Sequence, residues 1–386
     1  MQYLAFFCVC FIISSLATPF VQRIAVHIGA LDYPNERKIH KSVIPRLGGL
    51  AIFISFLFGY TFFAANYQNM DFILVGAIMI VLMGIFDDIK PLKAWQKFLV
   101  QVIAAVIVVY FGNFVVYDIG FLDFQLVFTP VFAQIFTVVW IVGITNAINL
   151  IDGLDGLAAG ISTISFVTIG MLAIFDNSLA GATLVATVAM ILAGATAGFL
   201  VFNFPPAKIF MGDTGAQFLG FMIAILSVYG YKQAAFASFL VPIVILAIPI
   251  LDTLFAIVRR VIKKQSFATP DRGHLHHRLL DSTKSPRMAI ILIYLIDILF
   301  SSTAIMYSFS RFWGTILLII LLIVGEIFIE YFGLINARYR PLLAIGGKVY
   351  QKIGTAEQKE ERAHRRRIQQ LRNQRKREQK RRDSSK

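Results

Sequence analysis

The stretch "NAINLIDGLDGLAAG", residues 146–160, sets Asn149, Asp152 and Asp155 three positions apart, with Gly153 and Gly156 directly after the carboxylates. On a helical turn that spacing puts the three oxygen-bearing side chains on roughly one side. A glycine after each Asp lets backbone or ligand come close. Oxygen ligands of this kind suit a hard cation, and Mg²⁺ typically takes one or two carboxylates, waters and substrate phosphates. "MGDTG" repeats the theme at Asp213, between glycines and just before an apolar run. A helix starting there would offer backbone N–H groups to a phosphate. These residues read as the wall of a metal–phosphate site.

Other acids and bases fit the same chemistry. Asp87 and Asp88 end an apolar run in "GIFDDIKPLK". Carboxylates at a helix C-terminus oppose its dipole, which argues against decoration. Positive charge is needed against phosphates. It is supplied by Arg37, Lys38, His40, Lys41 and Arg46, by Lys90 and Lys93, and by Arg272, His274, His276, His277 and Arg278. The histidine cluster suits donors to a pyrophosphate or sugar; zinc is the other reading, with no cysteine nearby. Asp252, in "PILDTLFAIVRR", is open to a structural reading, and Asp297, Glu326 and Glu330 are read as structural.

The elements that position these residues are membrane spans. The chain has 386 residues, 58% of them hydrophobic and 15% charged. A soluble domain has about 25% charged and 45–50% apolar residues. One core cannot hide so much apolar surface, so a soluble globular protein is excluded. Apolar runs near 3–21, 48–66, 71–86, 96–112, 129–145, 158–175, 179–200, 216–230, 235–257, 288–309 and 312–333 predict eleven transmembrane helices, with ten or twelve also compatible. The expected class is an all-α integral membrane protein. The first run has its basic residues after it, so it reads as an uncleaved span rather than a signal peptide. Cys8 and Cys10 are too close along one helix for an easy bridge.

With the N-terminus outside and loops alternating, 34 of the 36 Lys and Arg fall inside, and only Lys232 and Arg311 fall outside. The positive-inside rule then puts the C-terminus in the cytoplasm. Asp87, Asp88, Asp152, Asp155, Asp213 and Asp252 all come to the cytoplasmic face. An Asp at a helix centre costs about 2.5–3.5 kcal/mol, so acids near a bilayer usually face protein or water. Residues 1–335 form the catalytic membrane domain and 336–386 a basic tail. The tail is either a solvated extension or a contact for anionic lipid. From Lys359 to Lys386 no aromatic residue interleaves the charges, so nothing there calls for nucleic acid. No internal repeat supports a transporter.

In their order, "PNERKIHKSVIPRLGGLAI", "FDDIKPL", "NAINLIDGLDGLAAG", "FNFPPAKIFMGDTGAQFLG", "IPILDTL" and "TPDRGHLHHRLL" resemble the polyprenyl-phosphate N-acetylhexosamine-1-phosphate transferases, over about residues 32–281. Those enzymes move a sugar 1-phosphate from a UDP-sugar to a lipid phosphate. The "HLHH" form resembles the branch that uses UDP-N-acetylglucosamine and undecaprenyl phosphate in the bacterial plasma membrane. The branch using UDP-MurNAc-pentapeptide is the alternative. A membrane prenyltransferase would want D-x-x-x-D spacing, which these acids lack.

The resemblance implies that Asp213 and Asn149 hold Mg²⁺, with Mn²⁺ as an open substitute. It implies catalytic roles for Asp87, Asp88, Asp152 and Asp155. Asp87 would deprotonate or orient the lipid phosphate, with Asp88 beside it; Asp152 and Asp155 would lie near nucleotide and pyrophosphate. Whether the acid pair is base or nucleophile stays open, with direct attack by the lipid phosphate preferred. Asn203 and Phe210 would contact uridine, and His274, His276 and His277 the sugar or pyrophosphate. Lys38, Arg46, Lys90 and Arg272 would bind phosphates. A homodimer is a further open expectation.

Overall fold

The computed structural model describes residues 1–34, 42–121, 124–175, 181–229, 239–262 and 273–332. Lys38, Arg272 and the tail with its 335/336 boundary lie outside them. A compact unit runs from Met1 to Leu321, and the described residues from Leu322 on are the last turns of one helix.

The long helices are α1 (Gln2–Ile28), α2 (Gly49–Gly59), α3 (Met70–Ile89), α4 (Ala94–Val106), α5 (Pro130–Ile151), α6 (Leu157–Phe175), α7 (Ala182–Asn203) and α8 (Gly212–Tyr229). They are followed by α9 (Leu240–Ile245), α10 (Ala247–Ile262), α11 (Leu275–Thr283), α12 (Pro286–Phe309) and α13 (Arg311–Phe332). Short π-helical turns, Tyr60–Ala64 and Ile107–Phe111, extend α2 and α4. Every predicted apolar run meets one of these helices. Eight of the described helices are long and apolar enough to cross a membrane.

The other three runs differ for local reasons. Gly49–Ala64 is shorter. α8 opens on the polar turn Gly212–Asp213–Thr214. The run 235–257, expected as one helix, divides at Leu246 (φ −100, ψ 21) into α9 and α10. Pro249 has no N–H to give the carbonyl four residues back, which weakens a continuous helix there.

Two antiparallel strand pairs were not expected from the sequence. β1 (Leu31–Asp32) pairs with β2 (Ile44–Pro45), and β3 (Asp118–Phe121) with β4 (Phe124–Val127). Two-residue strands carry no readable alternation.

α8 is the centre of the compact unit. From Thr214 to Val228 its residues are buried, and α2, α3, α5, α6 and α7 all pack on it. The Phe218 ring lies 5.3 Å from Phe53 and 5.4 Å from Phe56, centroid to centroid. Such burial explains why an 18-residue helix with a polar first turn is stable there: its polar groups meet protein instead of lipid.

α1 is fixed differently, by close backbone approach to α7. A Cβ at Gly194 would lie 2.2 Å from the Phe7 carbonyl oxygen, and one at Gly198 would lie 2.3 Å from that of Phe11. Small residues four apart allow this contact, the usual solution where lipid supplies no hydrophobic drive between helices.

Candidate active site

The site grows from the start of α8. Gly212 has φ +73, and a side chain there would collide with the Asp88 carboxylate. Asp88, in the last turn of α3, caps α8 from outside. Its Oδ1 accepts from Asp213 N at 2.9 Å, and its Oδ2 from Thr214 N at 3.1 Å and Thr214 Oγ1 at 2.6 Å. The helix N-terminus expected to bind a phosphate is thus already occupied by a carboxylate, because α3 ends against it. Charge-assisted bonds to orphan helix N–H groups are among the stronger ones.

Two cations knit the acids together. Arg46 donates Nε to Asp88 Oδ1 at 3.0 Å and Nη2 to Asp213 Oδ1 at 3.2 Å. Lys97 donates to Asp213 Oδ2 at 2.8 Å and to Asp87 Oδ2 at 3.3 Å. Asp87 Oδ1 accepts from Leu92 N at 2.7 Å. Burial acts to lower the Arg46 pKa, but the Asp88 and Asp213 carboxylates outweigh it and hold the guanidinium above its ordinary value.

Arg46 is placed by strand pairing. Phe210 N donates to Pro45 O at 2.8 Å, and Gly48 N to Phe210 O at 2.8 Å. Arg46 and Phe210 therefore stand side by side in a parallel bridge, two residues before α8.

Beside this cluster opens a cavity of about 820 Å³. Arg46, Lys97, Asn149, Asp152, Asp155, Asn203, Phe210, Asp213 and His277 all reach its lining. Six predicted residues beyond Arg46 and Asp213 are brought together there, and Lys97 joins them. Asn149, Asp152 and Asp155 converge, though not on one continuous helix. α5 ends at Ile151, Asp152 is its C-cap (φ −74, ψ 51), and Asp155 Oδ2 accepts from Ala207 N at 3.0 Å. Asp152 has no hydrogen-bond partner for its carboxylate among the described residues. Burial, then the charges of Asp213 and Asp88, pushes its pKa up to about 8.

Other candidates hold the wall from behind. Asn203 bonds backbone at both ends of its amide, accepting from Gly156 N at 2.9 Å and donating to Ile209 O at 2.9 Å. Its place is to fix the aspartate turn and the segment before Phe210. Asp87, Asp88, His274 and His276 are buried outside the cavity lining, and Lys90 is exposed at the end of α3. Asp252 aims the histidine segment. Its Oδ2 lies 2.8 Å from His274 Nδ1, and its Oδ1 accepts from Leu275 N at 2.8 Å. His276 packs where a Gly153 side chain would be, 2.4 Å from that missing Cβ. Burial, then the neighbouring His277, drives its pKa down to about 3, so the ring is neutral.

Sequence reasoning missed Lys97 as a site residue, counting it only as a loop charge. The available signal was Lys97 and Gln101, four apart at the start of an otherwise apolar span. Thr214 and Asp252 were not assigned roles either.

The donor chemistry fits a divalent cation. Asp87, Asp88 and Asp213 share Arg46 and Lys97, while Asp152 and Asp155 have no cation partner among the described residues. Among those residues no group of three or more His, Cys, Asp or Glu stands ready to hold an ion alone. Mg²⁺ suits such a wall because it draws on one or two carboxylates and takes its other oxygens from water and phosphate.

A polar cavity lined by carboxylates and by the cations paired with them, in a chain rich in helices of membrane-crossing length, has the donors and acceptors that phosphate chemistry uses. The chain belongs to glycosyl transferase family 4, whose sequence pattern matches residues 70–231. It is 45% identical over 355 residues to the Bacillus subtilis "Probable undecaprenyl-phosphate N-acetylglucosaminyl 1-phosphate transferase", covering 89% of this chain and 96% of the relative. It is 36% identical to a Mycobacterium tuberculosis "Decaprenyl-phosphate N-acetylglucosaminephosphotransferase", over 74% of this chain and 77% of the relative. An Escherichia coli K12 "Undecaprenyl-phosphate alpha-N-acetylglucosaminyl 1-phosphate transferase" is 28% identical over 81% and 86% of the two chains.

Proposed function

We propose that the chain transfers N-acetylglucosamine 1-phosphate from UDP-N-acetylglucosamine to undecaprenyl phosphate. The products are undecaprenyl-diphospho-N-acetylglucosamine and UMP. The single observation carrying this reading is the pair of cations on the cavity floor, Arg46 and Lys97, each held on Asp213 and reaching the space beside Phe210. The relatives' names supply the donor group and the acceptor.

The lipid phosphate oxygen attacks the sugar-bearing phosphorus, and the bond from that phosphorus to the oxygen of UMP breaks. A phosphate monoester is largely ionised near neutral pH, with a second pKa of about 6. No protein nucleophile is required, and the geometry supports this reading. Asp88 is saturated as a helix cap, and Asp87 is committed to Leu92 N and Lys97. Both act as positioning residues. Lys97 and Arg46 bind the phosphates, Phe210 stacks on uracil, and His277 approaches the sugar or diphosphate. Asp213, Asn149 and Asp152 would hold Mg²⁺. The ion, when bound, offsets charge on the diphosphate and on leaving UMP. Positioning and electrostatics then supply the catalysis.

The orientation completes the proposal. Eleven spans with the N-terminus outside bring the cavity to the cytoplasmic face, where a nucleotide sugar is available and a prenyl phosphate meets the interface. The basic tail lies along anionic lipid on that side. The test uses purified protein, undecaprenyl phosphate and radiolabelled UDP-N-acetylglucosamine, with Mg²⁺, Mn²⁺ or EDTA. Label in the organic phase with UMP as the released nucleotide is the expected result. Release of UDP, or label only from UDP-MurNAc-pentapeptide, would overturn it.

A further inference from the structure

A second set of buried polar groups runs from Asp213 away from the cavity, and no step above uses it. Gln217, one turn along α8, donates Nε2 to Asp213 Oδ2 at 3.0 Å. Its Oε1 accepts from Gln101 Nε2 on α4 at 2.9 Å. Gln101 Oε1 accepts from Asn146 Nδ2 on α5 at 2.8 Å, and that nitrogen also reaches Val142 O at 2.8 Å. Gln101 is 2% exposed and Gln217 0%.

The polarity of this chain is forced from both ends. A carboxylate at one end and a backbone carbonyl at the other only accept, so each amide must turn its nitrogen as it does. The helices are matched as well. Lys97 and Gln101 on α4 face Asp213 and Gln217 on α8, with the same four-residue spacing on each. Amides inside a membrane bundle cost free energy unless paired, and apolar side chains would pack α4, α5 and α8 without that demand.

The three side-chain donors to Asp213 among the described residues differ in one respect. Arg46 and Lys97 are charged and shared with other acids, so an entering diphosphate competes for both. Gln217 is neutral, and Gln101 and Asn146 anchor it. A phosphate has little hold on it.

We propose that Gln217, Gln101 and Asn146 form a positioning ladder that keeps Asp213 aimed into the cavity as a metal ligand while Lys97 and Arg46 turn to the phosphates. The proposal rests on the reading of Asp213 as the metal carboxylate. Hydrogen-bond partners behind a ligating side chain typically govern about 10–100-fold in metal affinity. The ladder places such partners on three helices.

The test compares the full-length wild type with Gln217→Met and Gln101→Met in detergent. Two quantities are read: the half-saturating Mg²⁺ in the transfer assay, and the rise in Tm on adding Mg²⁺ without substrates. Gln217→Met is expected to raise the half-saturating Mg²⁺ about tenfold and shrink the Tm rise, with kcat recovering at high Mg²⁺. Gln101→Met, which does not touch Asp213, is expected to act in the same direction more weakly. Variants with lower Tm or kcat but unchanged half-saturating Mg²⁺ and Tm rise would overturn the ladder and make the amides packing groups. A wild type indifferent to Mg²⁺ in both readouts would overturn the metal reading of Asp213 and the ladder together.

Discussion

The two walls of the cavity solve opposite electrostatic problems. On the wall made by α3, α4 and the start of α8, every carboxylate oxygen of Asp88 and Asp213 is met by a donor. On the wall made by the turn after α5, Asp152 has no described hydrogen-bond partner and its pKa rises to about 8. The first wall is assembled before any ligand arrives. The second holds a carboxyl that burial keeps mostly protonated near neutral pH, and a nearby cation would favour its ionised form. The difference teaches that one wall is built for geometry and the other for capture.

Breaking the assembled wall has the largest expected effect. Asp213→Ala should lower transfer by at least about 10²–10³-fold, the scale for removing a preorganised electrostatic group, while the protein stays folded by detergent Tm. Turnover like wild type at saturating Mg²⁺ would sink the assignment. Phe210→Ala comes next. Loss of a base stack, worth about 1–3 kcal/mol, should raise the KM for the UDP-sugar roughly tenfold and barely move that for lipid phosphate. An equal change in both would make Phe210 a packing residue.

The waiting wall should respond with the opposite sign. In the ligand-free protein, an acid raised from 3.8 to about 8 is destabilised by ionising, and that penalty grows as pH rises through this range. Asp152→Asn should therefore raise Tm at pH 8 more than at pH 5 while lowering transfer. A Tm equally changed at both pH values would remove the contrast between the walls. Lys90→Ala sets the floor, because Lys90 is exposed and outside the lining. Transfer should stay within about twofold of wild type, as for ordinary surface changes, and a larger loss would extend the phosphate site past the cavity.

Local patterns made much of this legible. Apolar runs located the helices, and the spacing of Asn149, Asp152 and Asp155 put them on one wall although the helix ends between them. Long-range pairing was not legible. Arg46 meets Phe210 through strands too short to show periodicity, and Gln101 meets Gln217 across 116 positions. Asp88 looked like a reactive acid because its sequence neighbours are a second Asp and a Lys. The donors it serves are Arg46, 42 residues before it, and the start of α8, 125 and 126 residues after it. Asn203 shows the same long reach: it stands at the cavity, while its amide also bonds Gly156 N and Ile209 O.

The glycine seam between α1 and α7 also bears on how the chain is made. α1 is synthesised before α7, and the stretch that receives Phe7 and Phe11 is Gly194–Gly198. At about 5–20 residues per second, the first helix waits on the order of ten to forty seconds for its partner. During that interval α2, whose Ser55 hydroxyl donates to the Cys10 carbonyl of α1 at 2.8 Å, can already pack on it, but its α7 face stays uncovered. Its sequence suits the wait: Leu4, Ile12, Leu16 and Phe20 face outward, and Thr18 satisfies its hydroxyl on the Ser14 carbonyl of the same helix at 2.7 Å. The outward face of α1 is thus as apolar in the finished fold as it is while α7 is still being made.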